Sequence, residues 1–410
     1  MPIKPMVRNN ICLNAHPAGC VAGVERQIAY VQAQLTAKPA GAPRLVLVVG
    51  CSTGYGLASR IGAAFGYGAA TVGVSYEKPG SEAKPGTPGW YNNLAFDRAA
   101  AREGLAAATI DGDAFSDEVK AKAIAELKRV AAAAGLPAKV DLVVYSLASP
   151  VRVDPRDGVM YRSVIKPIGP TYSGRSMDMM TGKLGVASAE PAAEEEIAST
   201  VKVMGGEDWE LWIDALSAAG VLAPTVRTVA YTYLGPTLSW AIYKNGTIGR
   251  AKEHLEATAS KLDARLSGSG GGAWVSVNKA LVTRASAVIP IIPLYIASLF
   301  RVMKDMGLHE GCVEQLVRLY RDRLYSGRAA LDPSAVETDE AGRIRLDDWE
   351  MRSDVQAATE ALMARVTEEN LESLVDAAGL KHDFLEAHGF DVPGVDYETD
   401  LNFAGIPAAK

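Results

Sequence analysis

The stretch Arg44-Leu45-Val46-Leu47-Val48-Val49-Gly50-Cys51-Ser52-Thr53-Gly54-Tyr55-Gly56 decides how this chain is read. Residues 45–49 are an unbroken apolar run, rich in β-branched side chains and stopped by glycine. Such a run is expected of a short parallel strand buried on both faces. The glycines that follow let the backbone turn sharply and approach a ligand closely. A helix expected over 57–65 would then offer unpaired N–H groups and the positive end of its dipole to an anion. Strand, glycine turn and helix together point to a dinucleotide whose pyrophosphate rests on residues Gly50, Cys51, Ser52, Thr53, Gly54 and Tyr55. A bare glycine pattern is weak evidence, and its place between strand and helix is what gives it weight.

Working outward, further strands are expected at 70–74, 107–110, 141–145, 225–232 and 274–277. Helices are expected at 118–134, 194–204, 208–219 and 249–266. This alternation implies an α/β fold, a Rossmann-type doubly wound parallel sheet with right-handed crossovers. The spacing G-x-x-x-G-x-G is wider than the commonest fingerprint and resembles the short-chain dehydrogenase/reductase pattern. Residues 150–189 are rich in Pro, Gly, Ser and Met without clear periodicity, and read as an excursion forming a substrate-side lid. The most apolar stretch, 285–300, is interrupted by Pro290 and Pro293 and is too short for a membrane span of roughly 20 residues. It reads as a buried strand-turn-helix near a ligand. The tail, 299–389, reads as mostly helical. The whole, 1–410, is expected to be a single large domain, with a Rossmann core at about 40–150 and 220–300.

Composition narrows the class. Hydrophobic residues are 48% and charged residues 22%, enough apolar material for a sizeable core. A net charge of −6 argues against nucleic-acid binding, because no basic excess is available to neutralise phosphates. The four cysteines and five histidines show no metal spacing. No signal peptide is evident, so a reduced cytoplasmic protein and a monomer are expected. Cys51 is expected to be a packed side chain, and Trp209 and Trp212 core or lid residues.

The second strand runs into Tyr76-Glu77-Lys78. An acid there would accept hydrogen bonds from the adenosine ribose and repel a 2′-phosphate, favouring NADH, although Lys78 keeps NADPH from being excluded. Asp113 and Ala114 after the third strand, and Leu147 and Ala148 after the fourth, stand where doubly wound sheets bind ligands. The segment from Tyr231 to Lys252 carries the chemistry. Tyr243 and Lys252 are separated by eight residues, and Tyr233 lies ten before Tyr243. Alone, such a pair is commonly a buried ring and a surface charge. After a dinucleotide-binding half it reads as a reductase pair, the ammonium lowering the tyrosine pKa and holding the nicotinamide ribose. A nine-residue offset points the two side chains apart on a regular helix, so the stretch near Asn245-Gly246 is expected to be irregular.

From Met6-Val7-Arg8-Asn9 through GCSTGYGLASR, SYEKPG, GDAFS, YSLASP and YTYLGP to GVDYE at 394–398, the chain resembles the FabV-type enoyl-acyl-carrier-protein reductases and the related trans-2-enoyl-CoA reductases. The resemblance covers nearly the whole length, and its most specific element is the tyrosine-eight-lysine motif. It implies NADH on the glycine loop, Tyr76 and Glu77 at the adenosine ribose, Asp113 and Ala114 at the adenine, and Leu147 and Ala148 at the neighbouring ribose. It further implies Tyr243 as proton donor, Lys252 as cofactor-binding lysine and Tyr233 as substrate-side tyrosine. Leu281, Val282 and Thr283 would lie on the nicotinamide side, and 289–295 with the excursion would form the acyl pocket. The substrate would be an enoyl thioester on acyl carrier protein or coenzyme A. Family naming links part of the fold to a flavin, but hydride can pass directly from NADH, so none is expected. A ketoacyl or other carbonyl reductase, and a non-catalytic dinucleotide sensor, stay open beside this reading.

Overall fold

The computed structural model describes residues 3–8, 10–283, 291–398 and 402–407. Seven parallel strands form its main sheet: β1 (Leu45–Val49), β2 (Ala70–Ser75), β3 (Ala107–Asp111), β4 (Val140–Tyr145), β5 (Leu222–Thr232), β6 (Gly272–Val277) and β7 (Ile344–Arg345). Their spatial order is β7-β6-β5-β4-β1-β2-β3. The chain reverses direction across the sheet between β1 and β4, which opens a ligand crevice at the strands' carboxyl ends. This is the doubly wound order that the alternation implied.

Alternation along β1 explains the two layers of helix. Val46 and Val48 face a cluster with α1 (Pro17–Gln34), α2 (Gly54–Ile61) and α3 (Pro88–Arg102), through Val24, Ile28, Val31, Leu57 and Phe96. Leu45, Leu47 and Val49 face the other way, against α4 (Asp117–Ala133), the helix Glu207–Ala218 and the helix Thr247–Leu266. All five residues of β1 are fully buried, each contributing about 1.5–3 kcal/mol of transfer free energy. Trp209 and Trp212 are core residues of that second layer. Their indole N–H groups donate to Thr228 Oγ1 (2.8 Å) and the Ala114 carbonyl (3.1 Å).

Three elements differ from expectation. Residues 150–189 form two antiparallel hairpins, Val151–Val153 with Met160–Arg162 and Tyr172–Met177 with Leu184–Ala189. The helical tail also sends β7 back to the sheet edge beside β6. The N-terminal α1 had no forecast; it starts at Pro17, whose missing N–H costs nothing at a helix start. The expected strand-turn-helix at 285–300 falls partly outside the described residues, but its second half is helix, Ile292–Asp305. A third apolar cluster joins the second hairpin to this helix through Tyr172, Met177, Met179, Ile292, Tyr295 and Leu299, with Tyr243 among them. No helix among the described residues is long and apolar enough to cross a membrane.

Candidate active site

The glycine loop is built from close approaches that a side chain would block. Gly50 has φ +88°, and a Cβ there would lie 2.3 Å from the Ser146 carbonyl oxygen. A Cβ on Gly56 would fall 1.8 Å from the Gly50 carbonyl oxygen. Thr53 is the N-cap of α2, yet its side chain makes no capping bond. The first-turn N–H groups are thus left to an external acceptor, as an anion site requires. A Cβ built on Gly54 would have Thr283 Cγ2 as its near neighbour, at 4.0 Å. That contact brings the 281–283 segment to the mouth of the loop.

Glu77 is buried, and its Oε1 accepts a hydrogen bond from Ser52 Oγ at 2.7 Å. Its own N–H donates to the Asp111 carboxylate (2.8 Å). The acid after β2 is therefore fastened to the glycine loop itself. Tyr76 beside it is 79% exposed, leaving a ring face open. Asp113 Oδ1 accepts the Phe115 N–H (3.0 Å), while the Ala114 carbonyl turns inward to Trp212 and Lys120. Leu147 and Ala148 follow β4 on the same edge. Cys51 is fully buried, and burial pushes its thiol up to about 11, in keeping with a packing role.

At the other end, β5 delivers Tyr231 and, two residues on, Tyr233. A short 3₁₀ turn, Thr237–Ser239, and irregular turns then precede the helix at Thr247, as the offset required. This places Tyr243, 7% exposed, edge-on to Tyr233 with ring centroids 5.3 Å apart. Lys252 Nζ donates to the Tyr231 carbonyl (3.1 Å). The expected lowering of the Tyr243 pKa is corrected: burial pushes the phenol up, and no lysine charge counters it. Burial also lowers Lys252, to about 8. Burial thus favours the protonated phenol of Tyr243 over the phenolate.

Two buried hydrogen-bond hubs, one holding Tyr55 and one holding Tyr233, go beyond what the sequence led us to expect. Gln315 Oε1 accepts from Tyr55 Oη (2.9 Å), the Lys279 N–H (3.0 Å) and Asn278 Nδ2 (3.2 Å). The Tyr55 hydroxyl thus points into the protein. Glu350, fully buried, accepts from Tyr233 Oη (3.1 Å) and Tyr295 Oη (2.6 Å) on one oxygen, and from the Ala280 N–H (2.7 Å) on the other. Tyr295 belongs to the expected acyl segment; 289 and 290 lie outside the described residues. The only signal for Glu350 was its place just after the short run Ile344-Arg345-Leu346. Lys279, also buried, is lowered to about 8, chiefly by burial. Among the described residues His382, Asp383 and Glu386 bring ligand-type atoms within 4.8 Å, but His382 Nδ1 is already 2.9 Å from Asp391 Oδ2.

Family models match nearly the whole chain. Residues 84–325 match the trans-2-enoyl-CoA reductase catalytic region, 2–82 the NAD(P)H binding domain of trans-2-enoyl-CoA reductase, and 338–401 the enoyl reductase FAD binding domain. The chain is 61% identical over 404 residues to a trans-2-enoyl-CoA reductase [NADH] of Treponema denticola, covering 98% of each. It is 54% identical over 402 residues to an enoyl-[acyl-carrier-protein] reductase [NADH] of Cytophaga hutchinsonii, again covering 98% of each. The crystal structure of the Treponema denticola trans-2-enoyl-CoA reductase in complex with NAD superposes with a TM-score of 0.93 at 60% identity, covering 100% of both chains.

Among the described residues of 338–401, several cationic side chains and one helix start are held by carboxylates of the same stretch. Arg343 and Arg345 pair with Asp339, Arg345 also with Asp347, and Arg352 with Asp354. The helix Ala377–Glu386 starts under the Asp376 carboxylate, which takes the Gly379 N–H. An anionic diphosphate would compete with those carboxylates for these particular donors.

Proposed function

The chain belongs to the family of NADH-dependent trans-2-enoyl-CoA and enoyl-acyl-carrier-protein reductases, and on that premise we propose how its residues reduce the trans-2 double bond of an enoyl thioester. Bound NADH supplies a hydride to the β-carbon, and negative charge grows on the thioester oxygen. Tyr243, kept protonated by burial, donates a hydrogen bond to that oxygen, where a preorganised donor is most effective. Tyr233 stands beside it on the substrate side, and Lys252 binds the nicotinamide ribose. The glycine loop takes the pyrophosphate on main-chain N–H groups, Tyr76 and Glu77 the adenosine ribose, and Asp113 and Ala114 the adenine. Leu147 and Ala148 adjoin the second ribose, and Leu281, Val282 and Thr283 the nicotinamide. The acyl chain lies between the second hairpin and the helix Ile292–Asp305. A proton taken from solvent by the α-carbon completes the saturated acyl thioester, the last reductive step of fatty-acid elongation.

The observation that carries this reading is the Tyr233–Tyr243 pair set against the acyl-side helix, on the sheet edge that also holds the glycine loop. Crotonyl-CoA and acetoacetyl-CoA offered side by side with NADH test it; reduction of the keto substrate alone would overturn it. One acyl group offered on both carriers, coenzyme A and acyl carrier protein, tells which the enzyme prefers. The proposal includes a single domain, since the sheet draws strands from all three matched regions. It also includes a monomer in the cytoplasm, in line with four unpaired cysteines. Sedimentation of the pure protein checks the monomer.

A further inference from the structure

We infer that Glu350 is a positioning residue for the substrate-side tyrosine, fixing the Tyr233 hydroxyl and leaving Tyr243 as the phenolic donor to the thioester oxygen. The inference rests on the proposal that Tyr233 faces the substrate. Burying a carboxylate is expensive, and an apolar residue of similar volume would serve packing better. Glu350 is nevertheless fully buried, and its two oxygens take three donors from three segments of the chain. One is Tyr233, one is Tyr295 on the acyl-side helix, and one is the Ala280 N–H just ahead of the nicotinamide-side residues.

The stoichiometry of Tyr233 gives the arrangement its meaning. A tyrosine hydroxyl has a single proton to donate. Ionised Glu350 can only accept, so the Tyr233 proton is committed to it and the oxygen of Tyr233 is left as an acceptor. Burial raises the Glu350 pKa, while the Tyr295 and Ala280 hydrogen bonds and the Lys279 charge favour its ionised form. Tyr233 then orders the ring of Tyr243, which it meets edge-on at 5.3 Å, and does not itself donate to the growing negative charge. A side chain that merely stapled 338–401 to the sheet would act independently of the Tyr233 hydroxyl.

A double-mutant cycle separates these roles. Glu350→Gln keeps the shape but places an amide N–H₂ against either the Ala280 N–H or the tyrosine hydroxyls. Loss of a hydrogen bond to a charged group corresponds to about tenfold in rate. Glu350→Gln is therefore expected to lower kcat on crotonyl-CoA about tenfold, with the Kd for NADH, read by fluorescence, within about twofold of the parent. In a Tyr233→Phe background the same substitution is expected to change kcat less than about twofold. A full tenfold loss in that background overturns the inference and makes Glu350 a structural staple. Wild-type kcat in Tyr233→Phe itself overturns the placement of Tyr233, and the inference with it. Should Glu350→Gln fail to fold, Tyr295→Phe takes its place in the cycle. It alters the same carboxylate oxygen, and its effect on kcat is expected only where Tyr233 keeps its hydroxyl.

Discussion

At the glycine-loop end of the site, the pyrophosphate side is main chain, with the bend at Gly50 and the uncapped start of α2, and the Glu77 side chain is fastened beside it. At the tyrosine end the working groups are side chains. The Tyr233 hydroxyl is held by Glu350, which arrives from far along the chain, whereas the Gln315 hub holds Tyr55 of the glycine loop. The first end is set by where Cβ atoms are missing and tolerates little substitution on its backbone. The second is set by hydrogen bonds between long side chains, each removable singly. Binding of the dinucleotide and turnover should therefore be separable by mutation.

The largest expected effect is at the tyrosine end. Tyr243→Phe should lower kcat on crotonyl-CoA by roughly a hundredfold or more, the usual cost of one oxyanion donor, while NADH affinity stays unchanged. Steady-state kinetics with a parallel fluorescence titration would show it, and full activity in the variant would remove Tyr243 from the mechanism. At the loop end, Gly50→Ala must accommodate φ +88° and a Cβ 2.3 Å from a carbonyl oxygen. It should weaken NADH binding about ten- to a hundredfold, the scale of backbone strain of this kind. A Kd within twofold of the parent would mean the pyrophosphate lies elsewhere.

A third prediction concerns stability away from both ends. His16 is fully buried, caps α1 by accepting the Gly19 N–H on Nδ1, and is lowered to about 4 by burial. Its protonation would destroy the acceptor and set a positive charge at a helix N-terminus. Because the folded pKa lies below the unfolded value of 6.5, the unfolded state binds more protons between those values, and stability falls as pH drops through that window. Moving from pH 7 to pH 5 should cost about 2 kcal/mol from this group. Urea midpoints for the parent and His16→Asn, which keeps a cap but does not titrate, should converge at the lower pH. Parallel pH dependences would assign the acid sensitivity to other groups. The smallest effect is at Glu77. Glu77→Gln keeps an acceptor for Ser52 and removes only the charge, so the preference for NADH over NADPH should fall about fivefold. An unchanged ratio of kcat/KM would mean that another group rejects the 2′-phosphate.

The loop end was legible in the sequence because its signals are local. A buried strand shows as an apolar run, and glycines mark each close approach within a few residues. The tyrosine motif was legible as text, but not the direction of the Lys252 stem, which ends on the Tyr231 carbonyl. Nor was the direction of the Tyr243 shift, because burial is a tertiary property. The hairpin strands Tyr172–Met177 and Leu184–Ala189 carry small and polar residues, and leave little alternation to read. β7 is two residues long, a single period of strand alternation with no repeat to read. Glu350 meets Tyr233 across a sequence separation of 117, where no window of neighbours can register it.

That separation also orders events in time. By loop-closure entropy alone, contacts of that separation are expected to form after those between nearer neighbours such as Ser52 and Glu77. On the ribosome the difference is wider still, because synthesis delivers the glycine turn and Glu77 long before Glu350 exists. A growing chain therefore carries the text for holding its cofactor well before it carries the carboxylate that orients its substrate-side tyrosine.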